Sequence, residues 1–239
     1  MSKNVLILGA SSDIGIEVIK FFVKKKYFIT AHCNSNNKPL NQICKNYRKI
    51  KIIKKDFSEL NDKELDKICK QKFDLQYSIF INLVGYMEKK TYLKSDLESL
   101  IKSVKINSLI PALILKNVLK KMVKGNYGRI LNCSSIGVKF GGGVNSFNYS
   151  FSKHASEFIP SIFKKLAKKN IIYNNLRIGF TNTKIHKNIK NNIELKKRIS
   201  LIPLKRAADK KEIAEYIYFL VSQKNSYMTN QIVSASGGE

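Results

Sequence analysis

Short apolar runs alternate with amphipathic stretches along the whole chain, and that alternation predicts the architecture. Val5-Leu6-Ile7-Leu8 reads as a buried strand, followed by a turn and a helix running to about Lys26. Phe28–Ala31 and Lys51–Ile53 are the next strands, a helix covers Leu60–Lys70, and Ser78–Ile81 is a fourth strand. The pattern then predicts a long helix from about Leu97 to Val123, a strand at Arg129–Asn132, a second long helix from about Tyr149 to Lys168, and a strand at Ile172–Arg177. A helix over Lys211–Val221 and a strand at Gln231–Val233 complete the series. Strands that are apolar on both faces need a covering layer on each side, and intervening helices supply it. The expectation is an α/β fold, a three-layer doubly wound parallel sheet with ligands beyond the carboxyl ends of its strands. No repeat or Pro/Gly/Ser-rich linker divides the 239 residues, so 1–239 reads as one domain.

Composition changes this picture little. No apolar run reaches about 18 residues, so no membrane span is expected. Gly9, Ser11, Ser12 and Asp13 interrupt the first run, which argues against a secretory signal. Cys33, Cys44, Cys69 and Cys133 lack CxxC spacing and a histidine cluster, as expected of a cytoplasmic protein with no structural metal. The formal charge of +27 invites an anionic partner. Yet only five of the 44 basic residues are Arg, and the lysines are spread along the whole sequence. Base-reading proteins favour Arg forks and clustered basic faces. The charge is therefore read as a solvated surface, with neither nucleic acid nor membrane as partner.

Candidate chemistry begins directly after the first strand. Gly9-Ala10-Ser11-Ser12-Asp13-Ile14-Gly15 combines a glycine for a sharp turn, small side chains and the start of a helix, whose amides suit a pyrophosphate. Asp13 is suited to capping that helix, although its charge repels phosphate. The sharper signal is the ordered set Asn107, Ser135, Tyr149 and Lys153. Tyr149 and Lys153 are four apart and share a helix face, where the ammonium would lower the phenol's pKa toward neutrality. The same spacing at Tyr47/Lys51 and Tyr86/Lys90 lacks the context and reads as surface. Only Tyr149 follows, by 14 residues, a strand-like segment Gly128–Ser135 that ends in hydroxyls.

These motifs resemble the short-chain dehydrogenase/reductase family from end to end. The family's TGxxxGxG loop is matched with Leu8 for Thr and Asp13 for the middle Gly. Its Ser…YxxxK order is matched by Ser135, Tyr149 and Lys153, with Ser134 competing for the serine role. Asp56-Phe57 resembles the pair that contacts adenine, and Asn82-Leu83-Val84-Gly85 the NNAG signature. Ile178–Thr183 resembles PGxxxT, bringing Gly179, Thr181 and Thr183 to the cofactor. Tyr227 to Gly238 resembles the YxTGQ…DGG ending.

The resemblance implies a Rossmann fold and an NAD(P)(H)-dependent oxidoreductase interconverting a ketone and a secondary alcohol. Tyr149 would be the general acid/base, Lys153 its partner and ribose ligand, Ser135 the substrate-oxygen donor, and Asn107 the support of a relay water. Absence of an acid in Ala31–Lys38 favours NADP over NAD, with Asn34 and Ser35 as donors beside His32 or Lys38. The alternative for His32 is a polar strand-end residue with no cofactor role. Lysines crowd the expected substrate loop, about Lys184–Lys205, including His186, Lys187 and Lys190. A 3-oxoacyl thioester, possible on acyl carrier protein, leads over a carbohydrate or surface-glycan substrate, and the resemblance implies a homotetramer or homodimer.

Overall fold

The computed structural model describes residues 3–184 and 192–239. Its strands are β1 (Asn4–Leu8), β2 (Phe28–Cys33), β3 (Ile50–Lys54), β4 (Ile79–Asn82), β5 (Gly128–Ser135), β6 (Ile171–Ile178) and β7 (Gln231–Ala235). They form one parallel sheet in the order β3-β2-β1-β4-β5-β6-β7. The order reverses between β1 and β4, and a crevice opens at such a switch point. Alternate residues of the central strands feed two cores. Leu6 and Leu8 join Phe80, Ile114 and Met122, whereas Val5 and Ile7 join Val18, Phe22, Ile29 and Ile217. Each such side chain contributes roughly 1.5–3 kcal/mol when fully buried.

The helices are α1 (Asp13–Lys24), α2 (Lys38–Cys44), α3 (Asp62–Gln71), α4 (Leu97–Val104), α5 (Ile110–Lys124), α6 (Phe147–Ser156), α7 (Ile162–Leu166), α8 (Asn192–Ser200) and α9 (Lys210–Val221). The first long helix is continuous, but a π turn at Lys105–Leu109 joins α4 to α5. Pro111 lacks an N–H and crowds the carbonyl four residues back, and the widened turn relieves that conflict. The second long helix is a correction: it ends at Ser156 and resumes at Ile162. Pro160 cannot bond the Ser156 carbonyl.

Asparagines take the carbonyls so released. Asn82 donates to Asn132 at 2.8 Å, and Asn132 donates to Asn175 at 2.8 Å and to the Ser156 carbonyl at 2.9 Å. Asn175 donates to the Glu157 carbonyl at 2.9 Å. This buried ladder crosses β4, β5 and β6 and fixes the end of α6. Helices α2 and α8 were not legible: α2 is seven residues long with no side-chain cap, and α8 falls within the expected substrate loop. His186, Lys187 and Lys190 of that loop lie outside the described residues.

Candidate active site

The glycine loop and the serine–tyrosine–lysine set line one cleft of about 1220 Å³ beyond the strand ends. Gly9 turns at φ 71°, and a Cβ there would sit 2.7 Å from the Leu83 backbone, so no other residue fits. Ser12, not Asp13, caps α1: its Oγ accepts the Gly15 N–H at 3.1 Å. Asp13 is the first residue inside the helix, and its Oδ2 accepts the Lys184 N–H at 2.7 Å. The acid is thereby turned onto the segment after β6, with Lys184 Nζ 3.9 Å from its Oδ1.

At the adenosine end, His32 is buried and stacked on Phe57 with ring centroids 4.0 Å apart. Its Nε2 donates to the Lys55 carbonyl at 2.8 Å, which leaves Nδ1 as acceptor for the Gly9 N–H at 3.4 Å. Burial lowers its pKa to about 4, so the ring is neutral and spent on the loop. Asn34, Asn36, Asp56 and Phe57 line the cleft, but Ser35 and Lys38 do not. Burial opposes ionisation of Asp56, yet hydrogen bonds from Ser58 and Asn34 hold its carboxyl below the usual range. Asn82 is also absent from the lining; it supports the neighbouring loop by accepting the Val84 N–H at 3.1 Å, while Gly85 faces the cleft. Ser11, Ile14, Gly179, Thr181 and Thr183 line it as expected, and Gly15 packs beneath, its Cβ position 2.6 Å from the Ala10 carbonyl.

At the reacting end, β5 delivers Ser135 and α6 delivers Tyr149 and Lys153. Ser135 hydrogen-bonds the Tyr149 side chain and accepts the Gly137 N–H at 3.2 Å. Ser134 is buried and donates to the Lys153 carbonyl at 3.4 Å, so Ser135 is the serine whose hydroxyl reaches Tyr149. The Lys153 ammonium donates to the Val84 and Cys133 carbonyls, both at 2.7 Å. It lies 6.0 Å from the Tyr149 ring centroid. Burial pushes the tyrosine up to about 12, opposed by the Ser135 bond, and holds the lysine at about 8. The Lys153 ammonium, expected to lower the phenol, is turned onto two backbone carbonyls, and burial outweighs the Ser135 bond at Tyr149. Asn107 is buried in the π turn, where its amide clasps Tyr86, donating to its carbonyl at 2.9 Å and accepting its N–H at 2.7 Å. Sequence reasoning missed Tyr86, Phe140, Leu201 and Pro203, loop residues that only the tertiary fold brings to the cleft; the Gly141–Gly143 run was the available signal.

A tight glycine turn and the open start of α1 fit a dinucleotide's phosphates. A family model described as enoyl-(acyl carrier protein) reductase matches residues 10–239. A 3-oxoacyl-[acyl-carrier-protein] reductase of Buchnera aphidicola subsp. Schizaphis graminum is 31% identical over 99% of this chain and 96% of its own. One from Aquifex aeolicus is 28% identical over 99% and 96%. A 4-hydroxyisoleucine dehydrogenase complexed with NADH superimposes with a TM-score of 0.89 at 25% identity, covering 99% and 98% of the two chains. The chain belongs to the short-chain dehydrogenase/reductase family and is an NAD(P)-dependent oxidoreductase.

Proposed function

We propose that the protein is a cytoplasmic, NADPH-preferring reductase of 3-oxoacyl thioesters carried on acyl carrier protein. The Ser135–Tyr149–Lys153 cluster, at the floor of the cleft that begins at the glycine loop, carries this reading. A nicotinamide cofactor supplies the hydride when bound, and Gly9, Ser12, Ile14, Asn34, Asn36 and Lys153 would hold it. Tyr149, pushed up to about 12, keeps its proton through the neutral range and serves as the acid toward a carbonyl oxygen. Ser135 orients that oxygen while fixing the phenol. The apolar wall of Ile136, Phe140, Phe180, Leu201 and Pro203 suits an acyl chain better than a sugar. The names of the sequence relatives support the same substrate class.

Tyr149→Phe, assayed with NADPH and an acetoacetyl thioester, should lose about two to four orders of magnitude in turnover with cofactor binding nearly intact. Unchanged turnover rejects the role of Tyr149. Faster turnover of a nucleotide sugar than of the thioester rejects the substrate.

A further inference from the structure

Every strand is parallel and each crossover helix runs back against the sheet, so the helix ends and the turns into the next strand gather at one end of the molecule. That end lies opposite the cleft. The turns at 24–27, 45–49, 70–78, 120–127 and 164–170 hold fifteen Lys and Arg residues against one acid, Asp74. Asp74 is already paired with Lys121 at 2.6 Å. At the cleft end, the described connections 9–13, 34–37, 55–61, 83–96, 136–146, 179–184 and 192–209 hold eleven basic residues against seven acids. The lysines that look evenly spread in sequence are therefore polarised in space.

The basic turns are also continuous. Phe28 N–H donates to the Lys3 carbonyl and Ile29 N–H to the Lys49 carbonyl, both at 2.8 Å. Ser78 N–H donates to Asn4, Arg129 N–H to Ser78, and Gly128 N–H to Asn170, at 2.9, 2.9 and 3.2 Å. These bonds knit the turns in the order of the sheet, from β3 to β6. Six strands side by side span about 24 Å, and the charges stand on both helix layers as well as at the strand ends. All but Lys121 and Lys169 of the fifteen are exposed.

We propose that this end of the molecule is a docking face for an anionic phospholipid surface, which would leave the cleft turned away from the bilayer. Only Arg48 of the fifteen can form a fork, so the face lacks the means to read bases. None of the exposed large apolar side chains falls in these five turns, and Tyr27, Tyr47 and Tyr127 are half-buried; Tyr227, in the turn 222–230 into β7, is a single exposed ring at this end, too little to stack successive bases of a single strand. A two-dimensional array of hydrated ammonium groups matches a plane of lipid phosphates, whereas a duplex meets a stripe. Attachment through these five turns would be electrostatic and reversible.

The test is flotation of the full chain with phosphatidylcholine vesicles containing about a third phosphatidylglycerol. Binding should be lost on raising salt from about 0.05 to about 0.5 M and on removing the anionic lipid. The quadruple variant Lys25→Glu, Lys49→Glu, Lys124→Glu, Lys168→Glu should bind these vesicles roughly a hundredfold more weakly, or worse. The control Lys63→Glu, Lys89→Glu, Lys94→Glu, Lys211→Glu removes the same charge from exposed positions elsewhere and should retain most binding. Matching circular dichroism and melting curves identify folded variants, and single substitutions at Lys25 and Lys168 serve if the quadruple variant does not fold. No vesicle binding by the parent overturns the proposal, as does equal loss in both variants. Tighter capture of duplex DNA than of vesicles, lost in the first variant, also overturns it in favour of nucleic acid.

Discussion

His32 shows how one side chain can be legible in sequence and still leave two roles open, a donor to phosphate or a strand-end residue with no cofactor role. A polar residue at the end of β2 suggested a phosphate donor, but both ring nitrogens serve the Gly9 and Lys55 backbone. The ring's depressed pKa has a consequence with a definite sign. The unfolded chain takes up a proton below about 6.5, whereas the folded ring resists until about 4. Stability attributable to His32 is therefore complete above pH 6.5 and lost as pH falls toward 4, by up to about 3 kcal/mol. Urea titrations at pH 7 and 5 should show the fall, and His32→Gln should flatten it; an unchanged slope in that variant refutes the account. Asn34 carries the second residue-scale prediction, because it faces the cleft beside Asp56 without a charge of its own. Asn34→Asp should move preference from NADPH toward NADH by about 1–2 kcal/mol. Fluorescence titration of both cofactors measures it, and tighter NADH binding by the parent chain would mean that the strand end was misread.

Among the elements, α6 carries the chemistry and the asparagine ladder holds its end. Asn175→Ala would strand the buried Glu157 carbonyl, so urea unfolding should show a loss of about 1–3 kcal/mol. A loss no larger than that of an exposed Asn→Ala control would argue that the ladder does not secure the helix. The strands and their parallel order followed from continuous apolar runs, because burial on both faces leaves that mark. The break in α6 was marked by Pro160, but the apolar periodicity on either side continued through it. Tyr149, Lys153 and Ser135 were legible because helical spacing and strand order bring them together locally. Tyr86 and Phe140 were not, because their place depends on contacts across the sheet. Ser12 and Asp13 are both good caps one position apart, and only backbone geometry separates them.

At the scale of the whole molecule, Leu97 and Ile101 on α4, Leu109 and Leu113 near the start of α5, and Phe151 on α6 stand exposed on helices that pack together. An apolar surface of this kind is costly in water and is commonly covered by another protein surface. The expected cover is a second copy, so light scattering should report a dimer or tetramer at micromolar concentration. Phe151→Glu should shift that equilibrium toward monomer. A parent chain that is already monomeric would reject the assembly.

The opposition between the strongly basic turns and the more evenly balanced cleft rim also governs how the molecule travels. A charge distribution so lopsided is a large permanent dipole, set along the strand direction, and near a charged boundary it experiences a torque as well as a pull. Rotation is faster than approach over the last few Debye lengths, so encounters with an anionic boundary are biased base first, with the cleft trailing. The fold thus acts as a rectifier: lysines preferred at each helix end, a local matter of a few tenths of a kcal/mol apiece, are added with one sign because every crossover helix runs the same way.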